Sequence, residues 1–237
     1  WTVAEVEADR GWIYPLSESQ GAELIAAVRA AVKKTGPVDR PILDWKRDDF
    51  ALEKALPTLA AAFREVRDGR AMALVKNLPR EGVTPMEFRV MTWAIGLHFG
   101  VARPQNRTSD YITEVKDAGM AYRSPAGRGY NSKAELDFHV DGSDVVLLSC
   151  YNQAPVGGMS MCSSAATAFD VVKAERPDYA EALTTDYTFS RNGEQSEGEE
   201  PWYAAPVCTT REGRVFCKWN RNRIQNAQKI EGVPQLT

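Results

Sequence analysis

The chain has 237 residues, 43% of them hydrophobic, which suits one sizeable domain with its own core or two small ones. Its 29 basic and 32 acidic residues are mixed along the chain for a net charge of -3, so no basic patch marks a nucleic-acid binder. The longest apolar runs, such as "DVVLLSCY" (144–151), are far too short to span a bilayer, and no secretory leader is recognisable.

The chain opens on Trp1 rather than Met, which reads as a trimmed natural start. In "GAELIAAVRAAVKK", Leu24, Ile25, Val28 and Val32 share one helical face, and Gly36-Pro37 ends the helix. "ALPTLAAAFREVRDG" predicts a second helix closed by Gly69, and "AMALVKNLP" a short buried strand stopped by Pro79. "TPMEFRVMTWAIGLHFG" predicts a third helix with Thr84 as N-cap and Pro85 in its first turn. Residues 1–100 are therefore helix-rich.

After Gly100 the character changes. "DYITEV", "DVVLLSCY", "GMSMCSSA", "DYTFS", "AAPVCTT" and "RVFCKWN" are short β-prone runs parted by Gly, Pro, Asn and Asp. Helices interrupt them at "ATAFDVVKAE" and "PDYAEALTT". Many short strands at this spacing predict a mainly β sandwich or barrel with helices packed outside. "RNGEQSEGEEPW" reads as a surface excursion or mobile lid. With no internal repeat and no long linker, residues 1–237 read as a single domain.

The four cysteines lack C-x-x-C spacing, which argues against structural zinc, and most sit in apolar stretches that suit buried, reduced thiols. In "VCTTREGRVFC", a two-residue turn at Glu212-Gly213 would set Cys208 opposite Cys217, where a cross-strand disulfide is sterically open. The thiol usage reads as that of a cytoplasmic protein.

Chemistry concentrates in "ELDFHVDGSD" (135–144). Residues two apart on a strand point to the same side, so His139 and Asp141 can converge on one metal ion. Such a pair supplies two ligands of a 2-His-1-carboxylate set, which suits Fe(II) with open positions. The competing reading is a histidine satisfied by a neighbouring carboxylate in a turn. Arg123, Arg128, Tyr130 and Asn131, in "YRSPAGRGYNS" just upstream, are candidate substrate contacts. A guanidinium matches a carboxylate or sulfonate, which favours a small anionic or amino-acid-like substrate. Arg221 and Arg223, in "KWNRNRIQNAQ", read as same-side residues of a late strand.

The span "GRGYNSKAELDFHVDGSDVVLLSCYNQAPVGGMSMCSSAATAFD", followed by "PDYAEAL", "PVCTT…GRVFCKWNRNRIQNAQ" and "GVPQLT", resembles the taurine dioxygenase-like (TauD/TfdA) family of Fe(II)/2-oxoglutarate-dependent oxygenases. The likeness covers roughly residues 70 to 237. It implies a double-stranded β-helix, or jelly-roll, occupying residues 101–237 with flanking helices. It also implies His139 and Asp141 as the first two iron ligands, and Ser160 as a hydroxyl contact to a carboxylate of 2-oxoglutarate. The implied reaction couples O2 and 2-oxoglutarate, giving succinate and CO2, to oxidation of a substrate C–H bond. Related halogenases carry a small residue at the Asp141 position, so this carboxylate implies hydroxylation or another oxidation.

One departure stands out. The family's second ligand histidine and an arginine for 2-oxoglutarate lie well downstream, yet no histidine follows His139. The expectation is that both lie beyond Thr237, together with the last strands of the jelly-roll. His98 precedes the pair and is expected to pack or cap its helix end rather than bind metal. Two other readings stay open: a jelly-roll that binds a small ligand without iron, and a cupin-like enzyme, which the scarcity of histidine disfavours. The expected partner is a small molecule, not nucleic acid or membrane, and the apolar N-terminal helices would serve a homodimer interface as readily as a core.

Overall fold

The computed structural model describes residues 1–106, 108–119 and 129–236. The chain separates into two units, Trp1–Arg103 with Val145–Ser164, and Pro104–Asp144 with Ala165–Thr237.

Local chemistry explains the helices of the first unit. Thr2 and Glu5 form a capping box on α1 (Val3–Ala8), a short helix that buries nothing. Strand β1 (Ile13–Pro15) leads to α2 (Glu18–Thr35), which starts where Ser17 and Gln20 cap each other and ends at Gly36, whose φ of 121° favours glycine. Leu24, Ala27, Val28 and Ala31 make its buried stripe. Helix α3 (Leu56–Asp68) buries Leu59 and Ala62, and packs on a parallel pair formed by β1 and β2 (Leu74–Lys76). Thr84 and Glu87 cap α4 (Pro85–Leu97), which lies on α2 and buries Phe88, Val90, Met91, Trp93, Ala94 and Ile95. Trp45 fills the centre, its carbonyl accepting the Trp93 indole N–H at 3.3 Å. The expected strand at Leu74–Lys76 forms, but it is not buried: only Val75 is half-covered, because the pair has two strands and open faces.

In the second unit, α5 (Ala165–Glu175) packs on α6 (Pro177–Leu183). Strands β3 (Asp186–Ser190) and β4 (Trp202–Pro206) pair antiparallel. A second hairpin follows, β5 (Cys208–Arg211) with β6 (Arg214–Cys217), and then helix α7 (Arg221–Ala227), which packs on β3. Phe189, Val207, Cys208 and Ile224 form the buried cluster, with Phe169, Leu183, Tyr187 and Tyr203 around it. Phe189 and Tyr203 stack at 5.4 Å. The 191–201 excursion joins β3 to β4, and Arg191–Glu199 (3.1 Å) and Arg223–Glu194 (3.3 Å) ion pairs hold it.

The described residues thus combine helices with three two-stranded sheets. Several expectations differ from this. Residues 110–115, 144–151 and 158–164 are not in strands, since none has a ladder partner among the described residues. "DVVLLSCY" is mostly exposed, with Val146 at 58% and Leu148 at 65%. Cys150 and Cys162, in the same unpaired stretches, are accordingly exposed, while Cys208 is buried and Cys217 half-buried. The late strand through Arg221 and Arg223 is helix α7, so these arginines point about 200° apart instead of sharing a side. Asn220 nucleates that helix by accepting the Arg223 N–H, and Ile224 and Ala227 bury its inner face.

Candidate metal centre

Residues 135–140 belong to the second unit and lie outside any helix or strand, and Val140 N–H donates to the Trp219 carbonyl at 2.8 Å. This bond fixes the residue between His139 and Asp141, so the two side chains emerge together. His139 Nδ1 lies 2.8 Å from the Asp137 carbonyl. A carbonyl only accepts, so Nδ1 is the donor in this contact and Nε2 is the nitrogen turned toward Asp141. Nε2 lies 3.6 Å from Asp141 Oδ1, with the side chains 38% and 56% exposed. An imidazole oriented by a backbone carbonyl, beside a carboxylate, is the arrangement that metal-binding histidines use. The donor set therefore fits Fe(II) at two positions. Among the described residues, no cluster of three or more His, Cys, Asp or Glu is arranged to hold a metal.

The other expected site residues are placed unevenly. Tyr130 and Asn131 lie half-buried in a 3-10 turn, Gly129–Asn131, in the same unit as His139. Their carbonyls accept the Lys116 and Ala118 N–H groups, both at 3.0 Å, which fixes the turn. Arg123 and Arg128 lie outside the described residues. Ser160 belongs to the first unit and is exposed, just after a Gly157-Gly158 turn whose φ angles of 75° and 69° require glycine. His98 caps its helix as expected, its Nδ1 lying 2.8 Å from the Ala94 carbonyl.

The residue missed by sequence reasoning is Trp219. Its carbonyl holds Val140, and it also lines an apolar cavity of about 440 Å³ with Tyr179, Leu183, Tyr187 and Ile224, to which Arg221 adds a cation. No local signal marks it, because its partners come from distant segments.

Residues 32–235 match the family described as taurine catabolism dioxygenase TauD, TfdA family. The chain belongs to the TauD/TfdA dioxygenase family. FR-33289 synthase of Streptomyces rubellomurinus is 28% identical over 220 residues, 92% of this chain and 64% of that protein. The taurine hydroxylase-like protein SAT17 of Stachybotrys chartarum is 21% identical over 243 residues, 99% of this chain and 60% of that protein. The chain thus spans less than two thirds of the length of these curated relatives. Among the described residues, no helix is long and apolar enough to cross a membrane.

Proposed function

We propose that this protein is an Fe(II)/2-oxoglutarate-dependent dioxygenase that oxidises a C–H bond of a small anionic or amino-acid-like molecule. The convergence of His139 Nε2 and Asp141 Oδ1 carries the reading, supported by family membership. In this reading, His139 and Asp141 would hold the iron as two of its protein ligands. Iron bound there with 2-oxoglutarate and O2 supplies the oxidising power, releasing succinate and CO2. The chain's own residues place and orient. The Asp137 carbonyl keeps the proton on Nδ1, so Nε2 faces the metal, and the Trp219 carbonyl holds the intervening residue. The Ser160 hydroxyl donates to a carboxylate of 2-oxoglutarate, while Arg128, Tyr130 and Asn131 receive the substrate's polar groups. The family's jelly-roll is the fold proposed for the complete site, with residues 1–237 part of one oxygenase domain in the cytoplasm.

The test is anaerobic titration of the natural full-length protein with Fe(II) and 2-oxoglutarate. A weak visible charge-transfer band is expected, and it disappears in His139→Ala. If the unaltered protein shows no band, the oxygenase reading fails and a ligand-binding jelly-roll without iron takes its place.

A further inference from the structure

Hairpin β5–β6 carries a second chemistry. Its ladder pairs Arg211 with Arg214 and Cys208 with Cys217 across a two-residue turn, where Glu212 and Gly213 have φ of 51° and 75°. In such a hairpin the closing pair exchanges hydrogen bonds, and bonded and non-bonded pairs then alternate. Counting back from the turn, Cys208–Cys217 falls at a non-hydrogen-bonded position. The next rung agrees, because Lys218 N–H donates to the Val207 carbonyl at 2.7 Å. Non-bonded pairs bring Cα atoms to about 4.5 Å, inside the range a disulfide spans without moving the backbone.

The two thiols also differ in environment. Cys208 is buried in the second unit's core, whereas Cys217 is half-buried and within reach of a small solute. Burial, then the adjoining Cys217, pushes the Cys208 thiol up to about 12. Cys208 therefore stays protonated and waits, while Cys217 meets the oxidant.

We propose that Cys208 and Cys217 form a peroxide-sensitive dithiol whose disulfide braces the strand end that holds the His139-x-Asp141 segment. The Cys217 thiolate attacks hydrogen peroxide, taking one oxygen to become a sulfenic acid and expelling hydroxide. The Cys208 thiol then attacks that sulfur, its proton leaves with the sulfenic hydroxyl as water, and the S–S bond closes. Overall, two thiols and one peroxide give one disulfide and two waters. Two residues beyond Cys217, the Trp219 carbonyl accepts the Val140 N–H, so a staple at the hairpin mouth restrains that contact.

The experiment treats the natural protein carrying Cys150→Ser and Cys162→Ser with stoichiometric hydrogen peroxide, then digests it with trypsin without reduction. Cleavage after Arg191, Arg211, Arg214 and Lys218 leaves the cysteines on separate peptides, Asn192–Arg211 and Val215–Lys218. Expected are these two peptides joined by a bond that dithiothreitol breaks, a Tm rise of about 5–10 °C on oxidation, and slower deuterium exchange at Val140. Adding Cys217→Ser abolishes all three. Sulfinate at Cys217 with Cys208 still alkylatable after unfolding would overturn the disulfide. Joined peptides with unchanged exchange at Val140 would overturn the brace. None of these readouts depends on iron, so failure here leaves the oxygenase reading standing.

Discussion

His139 is oriented by a bond to its own chain: the Asp137 carbonyl occupies Nδ1, and Nε2 is left beside Asp141. In the proposed reading Asp141 is a ligand and not only a partner for an imidazolium. Asp141→Asn keeps the shape but removes the charge, and it should weaken Fe(II) binding, followed by calorimetry, by about 100-fold or more. Changes one step further from a metal already cost about 10–100-fold. Equal binding by the variant would remove Asp141 from the ligand set. The cysteines make a second prediction at this scale. Brief treatment with iodoacetamide near neutral pH should label exposed Cys150 and Cys162 and spare Cys208, whose burial keeps it a thiol until about 12. Mass spectrometry of the digest reads the order. The His139-x-Asp141 pair was legible in the sequence because two-residue spacing in extended chain sets side-chain direction locally. The burial of each cysteine was not, since it depends on which segments acquire neighbours.

The elements whose ends are written in local chemistry were equally legible. Helix α4 begins where Thr84 and Glu87 cap each other, as Thr84-Pro85 predicts, and Thr84→Ala should cost about 1 kcal/mol in urea unfolding. Glu87 also reaches Arg29 at 2.8 Å. The Arg29 guanidinium first, then the Thr84 N–H, holds its carboxyl below the usual 4.5. A depressed folded value means the stabilisation is complete above about 4.5 and is lost as pH falls through the lower, folded value. Glu87→Gln should therefore flatten the acid limb of the stability curve, measured by denaturant melts from about pH 6 to about pH 3. An unchanged limb would show that this carboxylate is not coupled to folding. Helix α7 was misread because Arg221 and Arg223 continue the β-prone run of "RVFCKWN". Its signals were present in the Asn220 cap and in the three-residue spacing of Ile224 and Ala227. They lost to the stronger strand pattern just before them.

The chain crosses between its two units three times, after Arg103, Asp144 and Ser164. The first unit is therefore not a simple N-terminal piece. Tyr151 donates to the Val83 carbonyl at 2.9 Å, and its ring meets Phe88 edge-on at 5.2 Å. A fragment of residues 1–103 lacks both contacts and should melt below the full chain in a thermal scan; an equal midpoint would show that 145–164 adds nothing to that unit. Sequence by itself determined the capped helices, the hairpin "VCTTREGRVFC" and the spacing that sets His139 beside Asp141, because caps, turns and alternation act over a few neighbouring residues. Only the tertiary structure decided that 144–151 lies outside any strand, and that Trp219 holds Val140. It also decided that Tyr151 serves the N-terminal helices. A strand exists only with a partner, and a buried face only with a cover, so neither is encoded in the residues that carry it.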